Sequence, residues 1–354
     1  MSETLSIFQN NLNDGFYSKL FLTLISSYLI SSFGIFLFLK YFAGKCHQPI
    51  RDDGPQTHIK AKAKTPTFGG AFIVLSTIIT TLFFIDLSNC YVAIYAITFI
   101  TFAGIGLIDD ILKVAKKNSS GFRGSIKLII QFTVIAIAYV WLGQVNPLHN
   151  EPAIFLPIFD GHYLTIGLAL YILFITFVIV GTSNAVNLTD GLDGLVSLPS
   201  IINLICLIIL TTIISNKEFA NHFNFTHIKD SSEIIFLCST LIGAILGFLQ
   251  FNYKPAKIFM GDVGSLAIGS FLGLTAVIIK QEVIFFIISI LFVTEAVSVI
   301  LQVGSYKLRK KRIFLMAPIH HHFEKKGWSE EKVVRTFWFA SLIFAILGIS
   351  LAIW

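Results

Sequence analysis

Charge is the scarcest commodity in this chain. Asp, Glu, Lys and Arg make up 13% of its 354 residues, against roughly a quarter in a soluble domain. Hydrophobic residues make up 55% and the mean hydropathy is +0.79, which excludes an ordinary water-soluble globule. Cysteine is sparse: Cys46, Cys90, Cys206 and Cys238 show no disulfide or metal-type spacing, so they read as free thiols or small packing residues. The sequence holds no P-loop, no nucleophile elbow and no zinc signature. No internal repeat of fixed period is evident. Residues 1–18 are polar and mildly acidic, without the basic start of a secretory leader.

Long apolar runs fill the space that charge leaves. Windows of about 18 or more apolar residues read as membrane helices. Ten runs approach or reach that length: Phe21–Leu39, Gly69–Ile85, Tyr91–Ile108, Leu128–Gly143, Tyr163–Val180, Leu195–Ile214, Ile234–Leu249, Val263–Ile279, Val283–Val303 and Thr336–Trp354. The expected fold is all-α: a polytopic integral membrane protein of about ten transmembrane helices, with residues 1–354 forming a single domain. Basic residues occupy alternate loops. Outside those loops fall only Lys19, Lys217, Lys229 and Lys280 of the 26 lysines and arginines. The positive-inside rule makes the basic loops cytoplasmic and both termini external. The net charge of +6 is thus concentrated on one face, where it suits anionic lipid and phosphorylated compounds.

Those inner loops carry the residues with chemical potential. The first contains Lys60, Lys62 and Lys64, then Thr65-Pro66-Thr67-Phe68-Gly69-Gly70, a candidate phosphate clamp or an ordinary lipid-facing basic stretch. In the second, the uncharged run Tyr91–Ile108 meets Asp109 and Asp110, followed by Lys113, Lys116, Lys117, Arg123 and Lys127. A carboxylate pair facing lysines can hold a divalent cation and phosphates, or can be a solvated helix end. Adjacent helical residues point about 100° apart, so the two aspartates are expected to divide their roles.

The third inner loop has no basic residue, only amides and acids: Asn184-Ala185-Val186-Asn187-Leu188-Thr189-Asp190-Gly191-Leu192-Asp193-Gly194. Asn187, Asp190 and Asp193 would share a face if this segment were helical; the two Asp-Gly pairs allow tight turns instead. The fourth places Asp262 at the mouth of an apolar run between Gly261 and Gly264, after Asn252 and Phe259, types suited to hydrogen-bond and stack on a base. The fifth contains His320, His321 and His322 among lysines. Three consecutive histidines cannot all ligate one metal from a helix, so they suit phosphate or sugar recognition. Glu295 lies inside an apolar run, where a carboxylate is costly and usually functional. It leaves room for a proton-coupled transporter of an anionic metabolite.

Magnesium is typically held by one or two carboxylates plus substrate phosphate oxygens. Acids on several loops beside lysines therefore point to phosphoryl transfer, which needs positioning and charge neutralisation. The same motifs resemble those of the polyprenyl-phosphate N-acetylhexosamine-1-phosphate transferase superfamily. They run from Thr65-Pro66-Thr67 through Asp109-Asp110, the Asn187–Gly194 loop and Phe259-Met260-Gly261-Asp262 to Ala317-Pro318-Ile319-His320-His321-His322-Phe323-Glu324, the last being the mark of the muramoyl-pentapeptide branch. Phe68 and Lys64 depart from the usual Met and Gly of that family.

The resemblance implies a Mg²⁺-dependent enzyme of the bacterial cytoplasmic (inner) membrane. It would move phospho-N-acetylmuramoyl-pentapeptide from its UDP derivative to undecaprenyl phosphate, releasing UMP during peptidoglycan synthesis. A sister enzyme using UDP-N-acetylglucosamine is the near alternative. Asp262 would ligate the metal, and Asp109 and Asp110 would act as base or second carboxylate. Asn187, Asp190, Gly191, Leu192, Asp193, Asn252 and Phe259 would line the donor pocket. Thr67, Lys113, Lys127 and the His320–His322 triplet would contact substrate. Membrane lipids are expected partners and nucleic acid is not; a homodimer is left open.

Overall fold

A computed structural model of the protein describes residues 14–42, 44, 65–116, 121–156 and 162–354. Thirteen α-helices are present among the described residues: α1 (Asp14–Phe42), α2 (Gly69–Phe84), α3 (Cys90–Lys116), α4 (Gly124–Val145), α5 (Leu168–Thr189), α6 (Ser197–Ser215), α7 (Lys217–His222), α8 (Glu233–Asn252), α9 (Asp262–Ile278), α10 (Glu282–Ile288), α11 (Ile290–Arg309), α12 (Ile319–Lys325) and α13 (Glu330–Ile353). A small antiparallel hairpin, β1 (Ala153–Leu156) and β2 (His162–Thr165), joins α4 to α5 in the register Ala153 opposite Thr165.

Eight helices (α1, α3, α4, α5, α6, α8, α11 and α13) are long and apolar enough to cross a membrane, and α2 and α9 are shorter apolar helices. Their outer surfaces keep large apolar side chains exposed, such as Phe83 at 80% and Phe177 at 74%. Water would penalise such surfaces and hydrocarbon would not. The protein is an all-helical polytopic membrane protein. Two expected boundaries move. Tyr163 belongs to the hairpin rather than to a span, and the run Val283–Val303 breaks at Ser289 into α10 and α11.

Helix α9 is the centre of the bundle. Every residue from Val263 to Ile278 is buried, with α2, α3 and α5 packed around it. Small residues make that approach close. A Cβ on Gly106 of α3 would lie 2.2 Å from the carbonyl oxygen of Asp262, one on Gly70 of α2 would lie 2.3 Å from Gly264 Cα, and one on Gly269 would lie 2.5 Å from Ser183 Cα on α5. Without a hydrophobic driving force between helices in lipid, such backbone contacts and interhelical hydrogen bonds hold the bundle. Ser183 Oγ supplies one, donating to the Leu266 carbonyl at 2.9 Å.

Candidate active site

The N-terminus of α9 meets α3 and α5 at one point. Helix α3 does not stop at the aspartates but continues two turns past Ile108 to Lys116. Both acids are therefore helical and buried, Asp109 at 1% and Asp110 at 0% exposure, rather than solvated at a helix end. Their directions differ as adjacent helical positions require.

Asp110 points at α9. Its Oδ1 accepts from the Asp262 amide and its Oδ2 from the Val263 amide, each at 3.1 Å. These are amides that a helix start leaves without internal partners, and the positive end of the helix dipole favours the carboxylate there. Gly261 makes room: its φ is 78°, and a Cβ there would lie 2.5 Å from Asp110 Oδ2 and 3.0 Å from Thr67 Oγ1. Thr67 is fully buried beside Gly261.

Asp109 points the other way, into a cluster of cations. Its Oδ2 lies 2.7 Å from Lys113 Nζ, its Oδ1 pairs with Lys127 and accepts from the Phe122 amide at 2.7 Å. Lys113 spans the gap to α9, reaching Asp262 Oδ2 at 2.9 Å. Asn187 Nδ2, on the last turn of α5, donates to Asp262 Oδ1 and to Ser265 Oγ, both at 2.9 Å. Asp262 remains partly open, its side chain 19% exposed.

A second group of residues surrounds the turn after α5. The helix ends at Thr189, so Asn187, Asp190 and Asp193 do not form one helical face. Asp193 Oδ2 accepts from the Ala256 amide at 2.9 Å, and the Asp193 amide donates to Glu330 Oε1 at 3.0 Å. Asn252 accepts from the Gly194 amide and donates to the Ile258 carbonyl, both at 2.9 Å. Leu192 is buried in a small apolar cluster with Leu195, Val333 and Phe337, a packing position. Phe259 is half-buried and its backbone is pinned between Pro66 and Gly69.

The three histidines take three different partners. His320 Nδ1 lies 3.0 Å from Glu295 Oε1, and His321 Nδ1 lies 2.7 Å from Glu324 Oε2. His322 Nδ1 accepts from the Leu315 amide at 3.1 Å. Desolvation, with the neighbouring Lys326, holds the His322 imidazole below its ordinary pKa.

The chain is similar to known proteins. A model of glycosyl transferase family 4 matches residues 92–280. The phospho-N-acetylmuramoyl-pentapeptide-transferase of Rickettsia canadensis is 48% identical over 306 residues, covering 86% of this chain and 83% of the relative. Its counterparts in Rickettsia felis and Rickettsia prowazekii are 45% and 46% identical, each covering 86% of this chain and 83% and 84% of theirs. The chain belongs to the phospho-N-acetylmuramoyl-pentapeptide-transferase family.

Within this family member, the family 4 match contains Asp109, Asp110, Asn187, Asp193 and Asp262 but ends before Glu295 and the histidines. Residues given no role from the sequence also join or border this arrangement. Ser265 sits one helical turn after Gly261 and shares Asn187 with Asp262. Glu330 looks in sequence like a first-turn helix acid after the Ser329 cap, yet it holds the Asp193 turn. Gln302 accepts from the Ile313 and Phe314 amides, at 3.0 Å each, and so shapes the chain leading to the histidines. Lys60, Lys62 and Lys64 lie outside the described residues.

The donor set suits a hard divalent cation in one respect and not in another. Among the described residues no group of three or more His, Cys, Asp or Glu side chains is arranged to hold a metal. A protein-only cage is thus absent from them, whereas a partly open carboxylate beside lysines fits Mg²⁺, which takes few carboxylates and completes its shell with phosphate and water.

Proposed function

We propose that this protein transfers phospho-N-acetylmuramoyl-pentapeptide from its UDP derivative to undecaprenyl phosphate, releasing UMP and the lipid-linked sugar diphosphate. Membership of the family makes it a transferase. The observation that carries the site assignment is the convergence of Asp109, Lys113, Asn187 and Asp262 from three helices onto one partly open point. The ten apolar helices are proposed to cross a bacterial cytoplasmic membrane, both termini outside, with this site on the cytoplasmic side where the basic loops lie.

Asp262 would hold Mg²⁺, and the ion when bound would neutralise charge on the donor diphosphate. Lys113 and Lys127 supply fixed positive charge beside Asp109, placed before substrate arrives, so little reorganisation accompanies the reaction. Asp110 positions rather than reacts: it is fully buried and holds the α9 amides that set where Asp262 stands. The Asp190–Asp193 turn, with Asn252 and Phe259, would receive the nucleoside.

A phosphate monoester has a second pKa near 6, so the lipid phosphate is largely dianionic at neutral pH and needs little activation. Its oxygen would attack the β-phosphorus directly, the bond from that phosphorus to the bridging oxygen would break, and UMP would leave with the oxygen. Asp109, buried and paired with both lysines, acts on the acceptor through Lys113 and Lys127, which it holds in place. Purified protein given undecaprenyl phosphate and each UDP-sugar in turn tests the whole assignment. UMP release with the muramoyl-pentapeptide donor alone, lost on chelation, is expected. Release with UDP-N-acetylglucosamine would indicate the sister activity, and no release from any donor would overturn the transferase assignment. A phosphorylated enzyme trapped by rapid quench with donor alone would overturn direct attack.

A further inference from the structure

Glu295 and His320 form a closed pair in the interior. Both side chains are 0% exposed, with Nδ1 and Oε1 3.0 Å apart. They come from different elements, α11 and the first turn of α12. A carboxylate only accepts, so His320 Nδ1 carries the proton. The pairing fixes the ring orientation, and with it what the other edge of the ring faces.

That other edge faces the turn after α5. A Cβ on Gly191 would lie 2.3 Å from His320 Nε2 and 2.8 Å from Cε1, so the glycine backbone sits directly on the imidazole. Neither Nε2 nor Glu295 Oε2 has a hydrogen-bond partner among the described residues. The ring cannot rotate to find one without leaving a buried carboxylate unpaired, which is strongly unfavourable. A rigid line therefore runs from Glu295 through His320 to Gly191, between Asp190 and Asp193.

We infer that Glu295 is a positioning residue for the nucleotide donor, acting through His320 to hold the Asp190–Asp193 turn in its binding geometry. The inference rests on the proposal that this turn receives the UDP donor. Because His320 is fully buried, it serves here as the seat of the turn rather than as a group that meets the diphosphate.

Steady-state kinetics of the full chain in detergent test this, with UDP-N-acetylmuramoyl-pentapeptide and undecaprenyl phosphate varied separately. Glu295→Ala is expected to raise the KM for the nucleotide donor at least tenfold, keep kcat within threefold and leave the KM for the lipid unchanged. Glu295→Gln, whose amide oxygen still accepts the Nδ1 proton, should restore the donor KM to within threefold of wild type. Gly191→Ala presses a methyl group against Nε2 without touching Glu295. It should raise the same KM from within the turn itself; if Glu295→Ala fails to fold, Glu295→Asp, whose shorter side chain withdraws the carboxylate from Nδ1, decides the matter by the same rise in donor KM. An unmoved donor KM, a fall in kcat alone, or a Glu295→Gln variant as impaired as Glu295→Ala would overturn the inference while the transferase assignment stands. A wild-type protein releasing no UMP from any donor would overturn both.

Discussion

Lys113 and Asp262 meet at 2.9 Å although 149 residues separate them. The same ammonium lies 2.7 Å from Asp109, one turn earlier on its own helix. One cation thus ties two carboxylates from α3 and α9 that would otherwise repel. A phosphoryl-transfer site needs such opposed charges held in place beforehand.

Asp262→Asn keeps the shape of the side chain and removes its charge. UMP release is expected to fall by about 10²-fold or more, the scale on which loss of one preorganised electrostatic contact reduces turnover, and raising Mg²⁺ should not restore it. Near-normal turnover at ordinary Mg²⁺ would refute the metal role.

Two glycines on α3 should respond oppositely to alanine. At Gly106 the new methyl would lie 2.2 Å from the Asp262 carbonyl, backbone against backbone, so α3 and α9 must separate. Overpacking of this kind costs about 1–3 kcal/mol, and the displaced Asp262 should carry activity down with it. Gly104 has nothing within 4 Å of an added Cβ, so Gly104→Ala should be neutral, or stabilising by under about 1 kcal/mol. Thermal unfolding in detergent, read beside UMP release, checks both.

Asn252→Ala removes the partner of the Gly194 amide and of the Ile258 carbonyl at once. Leaving buried polar groups unpaired costs roughly 1–3 kcal/mol each. The turn should loosen and the donor KM rise. Asn252→Asp can still accept from Gly194 but sets a carboxylate against the Ile258 carbonyl, so it should not rescue. Full rescue by Asp would show that the Ile258 bond is dispensable.

Outside the spans, His149 predicts acid sensitivity. Burial, helped by the charge of Lys280, lowers its pKa to about 3. On unfolding it returns to about 6.5, so below that pH the unfolded chain binds the extra proton. The contribution is fully present above pH 6.5 and is lost as pH falls toward 3. Between pH 7 and pH 5 the loss is about 2 kcal/mol, from 1.36 kcal/mol per pKa unit. Glu282 acts in the opposite sense, because burial pushes its carboxyl up to about 7. The difference between wild type and His149→Gln at each pH therefore isolates the histidine. That difference should favour the variant increasingly on acidification, and a constant difference would exclude a buried neutral His149.

Much of the site is legible in the amino-acid sequence. Asp109 and Asp110 taken alone read equally as a solvated helix end; they stand out, with Asn187 and Asp262, because acids and amides recur at the ends of several apolar runs on the side where the lysines lie. Ser265, Gln302 and Glu330 do not stand out. A serine in a helix, a glutamine at a membrane edge and a first-turn acid each have ordinary local roles. Their non-local partners are created only when the helices pack. Leu192 illustrates the converse: it lies within a functional motif, yet its side chain belongs to the core.

The sequence by itself determined that the chain is a predominantly helical membrane protein and which segments gather its acids, amides and histidines. Those properties follow from composition and from the length of apolar runs, which act locally. It also required adjacent aspartates to diverge, since helical geometry leaves no alternative. Only the tertiary structure decided which aspartate faces the lysines and which caps α9, because that depends on where α9 lies against α3. Close packing at Gly106 and Gly261 settles that placement. The packing of α12 against α11 pairs Glu295 with His320, which no local pattern could reveal.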